Sequence, residues 1–314
     1  MRFHQLVDFL AVAEEGSFTR AAARLHVAQP SLSRQVRLLE RQLGVVLFHR
    51  GPGQSRVELT AEGAALVPFA RRVLADVEAT LAEARALAGM ASGRLTVGAT
   101  PSLCTRVVPG LLAAFHAEHP GIELHLVEAG SHDLVPQVAA GELDVALVVL
   151  PAAHDQVATT PLFEDRLVLA VAPGHPLAAR PRVRVEDLDG LPLVMFRRGY
   201  DLRTATLAAC RAAGVSPKLV SQGGEMDGVL ALVAAGLGAA VVPEIAVPPV
   251  GTLVALPFDE PGLSRTVALA RRRHRPLSRP AAAFVAVATA YDVGAAPAGG
   301  AGPGRGGATG GCRA

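Results

Sequence analysis

Apolar residues recur at three- and four-residue steps through the N-terminal part of the chain, the spacing of one helical face. Phe3, Leu6, Phe9 and Leu10 predict a first helix that ends near Gly16. Ala21, Ala22, Leu25 and Val27 mark a second helix, and Leu32, Val36, Leu39 and Leu43 a third. Ser17 is placed to cap the second, because its hydroxyl can accept an unpaired backbone N–H. Pro30 opens the third, where its missing donor has no partner to lose. The run Leu47 to Arg50, the turn Gly51 to Arg56 and the run Val57 to Leu59 predict strand, turn, strand. Thr60 then caps a long helix from Ala61 to about Ala88. Its apolar positions Leu66, Ala70, Val73, Val77, Ala84 and Leu87 predict a short coiled-coil seam, imperfect where Leu81 drifts off the stripe. Pro68 lies inside this helix and should bend it.

The pattern changes at Gly89-Met90-Ala91-Ser92-Gly93, a short hinge. Beyond it strands and helices alternate. Leu95–Gly98 is a strand, Cys104–His116 a helix, Ile122–Val127 a strand, Leu134–Ala140 a helix and Val145–Leu150 a strand. The motif then restarts with strands at Leu167–Ala172, Leu191–Met195, Leu219–Ser221 and Ala239–Val242, and helices at Arg203–Ala213 and Gly228–Ala235. Thr266–Ala270 and Pro280–Tyr291 return the chain to the first lobe. Repeated strand-then-helix order predicts right-handed crossovers and a largely parallel sheet in two α/β lobes joined near residues 161–166. From Gly294 the tail is rich in Gly, Ala and Pro, cannot bury a core and is expected to be disordered.

Composition narrows the class. Half of the 314 residues are apolar, yet no run of eighteen lacks charge, so no membrane partner is expected. The opening MRFHQLVDFL carries Asp8 and no small-residue cleavage site, which argues for a cytoplasmic protein. Net charge is only +2, but residues 1–60 hold 8 Arg against 5 Asp and Glu, hence +3 there. Cys104, Cys210 and Cys312 show no CxxC spacing and read best as small hydrophobes. His116, His119 and His125 lack supporting carboxylate or thiolate spacing, so no metal site is expected. Gly236-Leu237-Gly238 precedes a strand instead of opening a helix after one, so it is no dinucleotide fingerprint. No Ser-His-Asp order, paired catalytic carboxylates or phosphate loop stands out; no catalytic residue and no cofactor are expected, and the chain does not read as an enzyme.

The third helix is the chemical centre. Its outward side carries Gln29, Ser31, Ser33, Arg34, Arg37 and Arg41 behind a small-residue partner helix. That is the form of a recognition helix in a helix-turn-helix, followed by a basic-tipped wing, with double-stranded DNA as the partner. The stretch LxxFxxVAExGSFTRAAxxLxVAQPSLSRQVRxLExxLGxxLFxR…LTxEG, nearly gap-free over residues 1–64, resembles the LysR-type transcriptional regulators. The resemblance implies an α/β multidomain chain. Residues 1–60 would be a winged helix-turn-helix and 61–89 a dimerisation linker helix. Residues 90–293 would be an effector-binding module like a periplasmic solute-binding protein, with lobe I at 94–161 and 267–292 and lobe II at 166–264. Residues 294–314 would be the tail.

It further implies a DNA face of Ser17, Thr19, Gln29, Pro30, Ser31, Ser33, Arg34, Arg37, Arg50 and Arg56. The family's effector-contacting loops match Thr100, Ser102, Ser131, Arg203, Glu225 and Met226. Their hydroxyls and N–H groups favour a small polar or anionic effector, and Arg203 could fork onto a carboxylate. Helix caps and a solvated arginine are the plainer reading of the same residues. A homodimer or homotetramer is implied, with RNA polymerase a candidate further partner. Some members sense peroxide through a cysteine pair in the second half of the sensor, but Cys210 has no nearby partner in the sequence. One departure is Ala28, where the family usually has a small hydroxyl residue that caps the recognition helix. Two alternatives stay open: a non-specific architectural DNA binder, and a solute-binding or catalytic protein with a vestigial helix-turn-helix.

Overall fold

The structure is a computed structural model that describes residues 1–49, 57–87, 93–248 and 251–292. The wing turn with Arg50 and Arg56, most of the hinge, Cys312 and the tail lie outside the described residues, as does the Leu87 side chain.

Three helices, α1 (Phe3–Glu15), α2 (Phe18–Arg24) and α3 (Gln29–Leu43), precede a two-stranded wing of β1 (Phe48–His49) and β2 (Glu58–Leu59). The wing strands pair antiparallel, Phe48 opposite Leu59. Ser17 caps α2 by accepting the Arg20 N–H at 3.4 Å. Leu6, Phe9 and Leu10 from α1, Ala21 and Ala22 from α2, Leu32, Val36 and Leu39 from α3, and Leu47 and Phe48 form one buried core. Each large side chain buried there contributes roughly 1.5–3 kcal/mol. Phe48 anchors the wing, with its ring centroid 5.5 Å from Phe9 and 5.7 Å from Phe18. Phe3 and Val27, expected on the apolar faces, are exposed, as is Leu43 at the C-terminal end of α3.

The long helix α4 (Ala61–Leu87) runs through Pro68. Thr60 caps it as expected: its Oγ1 accepts the Gly63 N–H at 2.9 Å and donates to the Val46 carbonyl at 2.7 Å. The expected seam divides. Ala70 is buried in the core of the DNA-binding helices, and Leu66 and Val73 pack against it, so this half serves the chain's own fold. Ala84 is exposed, and so are Phe69 and Leu81.

The rest of the chain comprises β3 (Gly93–Ala99), α5 (Pro101–Cys104), α6 (Val107–Glu118), β4 (Ile122–Glu128), α7 (Ser131–Ala140), β5 (Val145–Val149) and β6 (Val157–Val171). It continues with β7 (Pro192–Phe196), α8 (Asp201–Ala212), β8 (Lys218–Gly224), α9 (Met226–Ala234), β9 (Ala240–Pro243), β10 (Val254–Pro257), β11 (Ser264–Arg272) and α10 (Arg279–Ala290). Contacts divide the chain into two compact units. Among the described residues, the first holds stretches within Met1–Thr100, His119–Phe163 and Thr266–Ala286; the second holds Pro101–Glu118, stretches within Glu164–Arg265, and residues 287–292.

In the first unit, β3 pairs parallel with β4 and with β5, while β11 runs antiparallel to β5. In the second, β7 and β8 are parallel, but β6 pairs antiparallel with both β9 and β10. The sheets are therefore mixed, not largely parallel. The reason is that β6 and β11 are extended strands that carry the chain from one unit into the other, so no crossover helix forces them parallel. The strand expected from Leu167 begins at Val157. The helix expected over Cys104–His116 is two helices, interrupted where Thr105 Oγ1 donates to the Ser102 carbonyl at 2.9 Å.

Candidate DNA interface and effector site

The inner face of α3 is fixed by Leu32, Val36 and Leu39, each 0–1 % exposed, and this fixes which side chains point away. Gln29, Pro30, Ser31, Arg34, Arg37 and Arg41 are all exposed. Ser33 is not: at 8 % exposure it lies on the buried side, because position 33 shares a helical face with Leu32 and Val36. The expectation that Ser33 faces outward is corrected. Arg34, Arg37 and Arg41 line a groove of about 550 Å³ with Glu40 and Val45. Glu40 Oε1 accepts the Leu47 N–H at 3.0 Å, which ties α3 to the start of the wing. Thr19 is exposed at the start of α2, and Ser17, half-buried, caps it.

The turn into α3 carries its own constraint. His26 adopts a left-handed φ of 53°, a conformation that costs a non-glycine residue roughly 1 kcal/mol or more. Ala28 occupies the cap of α3 and supplies no side-chain acceptor, as its side chain dictates. Pro30 has no N–H, and the Ser31 and Leu32 N–H groups both donate to the Ala28 carbonyl, at 2.9 and 3.1 Å, so the first turn of α3 is closed by backbone alone.

The effector candidates fall in both units. Thr100 and Ser131 belong to the first, and both are buried. Ser131 Oγ accepts the Val149 N–H at 2.9 Å, a bond that ties α7 to the end of β5. Ser102, Arg203, Glu225 and Met226 belong to the second. Ser102 is fully buried and its Oγ accepts from Arg265 Nη1 at 2.9 Å. Arg203 donates to the Phe196 carbonyl and to Gln222 Oε1, both at 2.9 Å, so its fork already joins β7 to β8. Glu225 is half exposed and forms a short ion pair with Arg197. The Met226 side chain is buried at 1 % exposure in the hydrophobic core of the second unit.

Sequence reasoning missed Arg197, Asp165 and Arg265. Arg197 reaches Glu225 and lies 5.8 Å over the Tyr200 ring, which stacks on Phe196. Asp165 and Arg265 form a buried ion pair: Oδ2 accepts from Nε at 2.9 Å and lies 2.8 Å from Nη2. Burial pushes the Asp165 carboxyl up, opposed by the adjacent Arg265 charge. Asp165 sits among Glu164 and Arg166 in β6, and Arg265 between Ser264 and Thr266 in β11, so no local pattern marked the pair. Cys210 is buried and desolvation pushes its thiol up, which disfavours the reactive thiolate.

Two family models match the chain: the bacterial regulatory helix-turn-helix protein, lysR family, over residues 3–64, and the LysR substrate binding domain over 88–292. The chain belongs to the LysR family of transcriptional regulators. Its relatives are regulators, not enzymes. The DNA-binding transcriptional dual regulator OxyR of Escherichia coli (strain K12) is 34% identical over 280 residues, 88% of this chain and 91% of that one. The hydrogen peroxide-inducible genes activator of Dickeya chrysanthemi is 34% identical over the same shares. Among solved structures, full-length OxyR from Pseudomonas aeruginosa carrying a cysteine-to-aspartate substitution superposes with a TM-score of 0.73 at 30% identity, covering 93% of this chain and 99% of that one. Full-length CbnR complexed with its target DNA gives 0.69 at 28% identity, covering 92% and 99%. The fold expected from the sequence, a winged helix-turn-helix, a linker helix and a two-lobed α/β effector module, is that of these LysR-family structures.

Proposed function

We propose that this LysR-family regulator reads DNA with α3 and is switched in the cytoplasm by a small polar or anionic effector. The observation that carries the DNA reading is the exposed face of Gln29, Ser31, Arg34, Arg37 and Arg41 on a helix whose opposite face is locked in the core. Gln29, Pro30 and Ser31 lie against base edges in the major groove. Arg34 makes two parallel hydrogen bonds to a guanine or grips phosphate. Arg37 and Arg41, with Ser17, Thr19, Arg50 and Arg56, meet the backbone.

Residues 1–60 act as the DNA-binding domain, 61–89 as the dimerisation helix and 90–293 as the effector module. A homodimer or homotetramer presents paired recognition helices to successive major grooves about one helical turn apart, or a multiple of it. The effector touches the Thr100–Ser102 segment, Ser131, the Arg203 region, Glu225 and the Met226 backbone, and RNA polymerase is the downstream partner. It acts only to the extent that it binds the regulator's two arrangements differently.

Selection of fragmented genomic DNA by the full-length chain at physiological salt tests this. A few sharp peaks over inverted repeats support a sequence-specific regulator. Equal recovery of all fragments with a steep salt slope identifies a non-specific architectural binder instead.

A further inference from the structure

The first unit contains an ion-pair chain that none of the DNA or effector contacts uses. Arg71, on α4, places Nη2 at 3.1 Å from Glu14 Oε1 on α1 and Nη1 at 2.9 Å from Glu142 Oε1, just beyond α7. Glu14 Oε2 in turn receives Arg24 Nη2 from α2 at 2.8 Å, and Arg24 Nη1 reaches Glu15 at 3.2 Å. The order Glu15, Arg24, Glu14, Arg71, Glu142 alternates in sign from the helix-turn-helix to the sensor.

One turn further along α4, Asp76 meets Arg272 at 3.3 Å and pairs closely with Arg275. Gly141 allows Arg272 its path. Its φ is +79°, and a Cβ there would stand 2.8 Å from Arg272 Nη1. Glu14, Arg24, Arg71 and Glu142 line a hollow of about 640 Å³ together with Arg94 and Asp144, so the charges of the junction face an open space. Such pairs are individually weak and screened by salt, and a shared cation makes them act together. Lysine could not replace Arg71, because holding two carboxylates on separate elements takes the planar fork.

We infer that Arg71 is a positioning residue: by bridging Glu14 and Glu142 it sets how the DNA-binding domain is held on the sensor lobe, and thereby which half-site spacing the regulator prefers. This rests on the DNA-reading proposal for its functional readout, but the contact itself does not.

The test is a double-mutant cycle in the full-length chain: Arg71→Gln, Glu142→Gln and both together. Each variant selects sites from a random duplex library, and each is followed without DNA by amide hydrogen exchange across Gly141–Asp144. Either single change is expected to lower the preference for the best spacing over the next by about threefold to fivefold. The double change does no more, and binding to an isolated half-site is unchanged. Spacing that stays as narrow as wild type, or effects that add in the double variant, overturns the inference. If even the wild type selects no site, the DNA-reading proposal fails and the exchange arm decides the clasp. Protection lost about threefold in both singles and no further in the double upholds it; unchanged protection removes it.

Discussion

Replacing Gly63 with alanine sets two opposing effects against each other. Gly63 lies in the first turn of α4, where alanine brings up to about 1 kcal/mol of helix propensity. The new Cβ, however, would stand 2.2 Å from the Leu47 carbonyl oxygen and 2.9 Å from Leu59 Cδ2. Carbon–oxygen contacts normally begin near about 3.3 Å, so helix and wing must separate by roughly 1 Å. The carbonyl cannot swing aside cheaply. It accepts the Thr60 N–H at 3.0 Å, and Thr60 is held by its bond to the Val46 carbonyl at 2.7 Å. Overpacking of this kind costs about 1–3 kcal/mol, and a broken Thr60 bond adds about 1 kcal/mol. The clash therefore outweighs the propensity gain, and Gly63→Ala should lose about 1–3 kcal/mol. Urea unfolding of the full-length chain, with amide exchange read at residues 57–66, measures it. A Gly63→Ala variant as stable as wild type, or more stable, would refute this reasoning.

Four further outcomes follow from the same geometry. Ala28→Ser restores an acceptor at the cap of α3 and should stabilise the DNA-binding domain by about 0.5–1 kcal/mol in the same unfolding assay; no gain means the turn cannot host the bond. Asp165→Asn leaves Arg265 buried without its counter-charge and should cost about 3–5 kcal/mol, against a smaller loss when Arg265→Met is added; equal losses would contradict pairing. Desolvation raises the Glu14 carboxyl, but Arg24 and Arg71 together overcome it and hold the group below its ordinary 4.5. Its contribution is present above that value and disappears as pH falls through the lowered one, so Glu14→Gln should flatten the acid limb of stability below about pH 4.5. In a Cys104→Ser, Cys312→Ser background, Cys210, buried and with its thiol pushed up, should react with a maleimide only as fast as the second unit opens; prompt labelling of that variant in its native state would show the thiol to be accessible.

Much of the DNA-binding half was legible because its period is strong and its punctuation local. Ser17 and Thr60 cap where hydroxyls can cap, and Leu32, Val36 and Leu39 alone set the face of α3. Ser33 was misread because a serine in a polar run gives no sign that it falls on the buried arc. The linker stripe was ambiguous for another reason: Leu66, Ala70 and Val73 satisfy a seam and an intramolecular core equally well, and only tertiary contact distinguishes them. In the sensor, strand-and-helix alternation located the elements, while strand direction depended on β6 and β11 crossing between units, which no local pattern encodes. The side-chain partnerships were hidden for the same reason. Ser102 with Arg265 spans 163 positions, and Arg71 with Glu142 spans 71.

On the proposed function, α3 reads sequence through Arg34 and its exposed neighbours. The direct measurement is the affinity of the full-length chain for a selected site relative to a scrambled duplex of equal composition, at fixed salt, for wild type and Arg34→Ala. The expected ratio is about 10³ or more for wild type, falling by about tenfold or more in the variant as one bidentate base contact is lost. A ratio near one for wild type, or a ratio indifferent to Arg34, would contradict it.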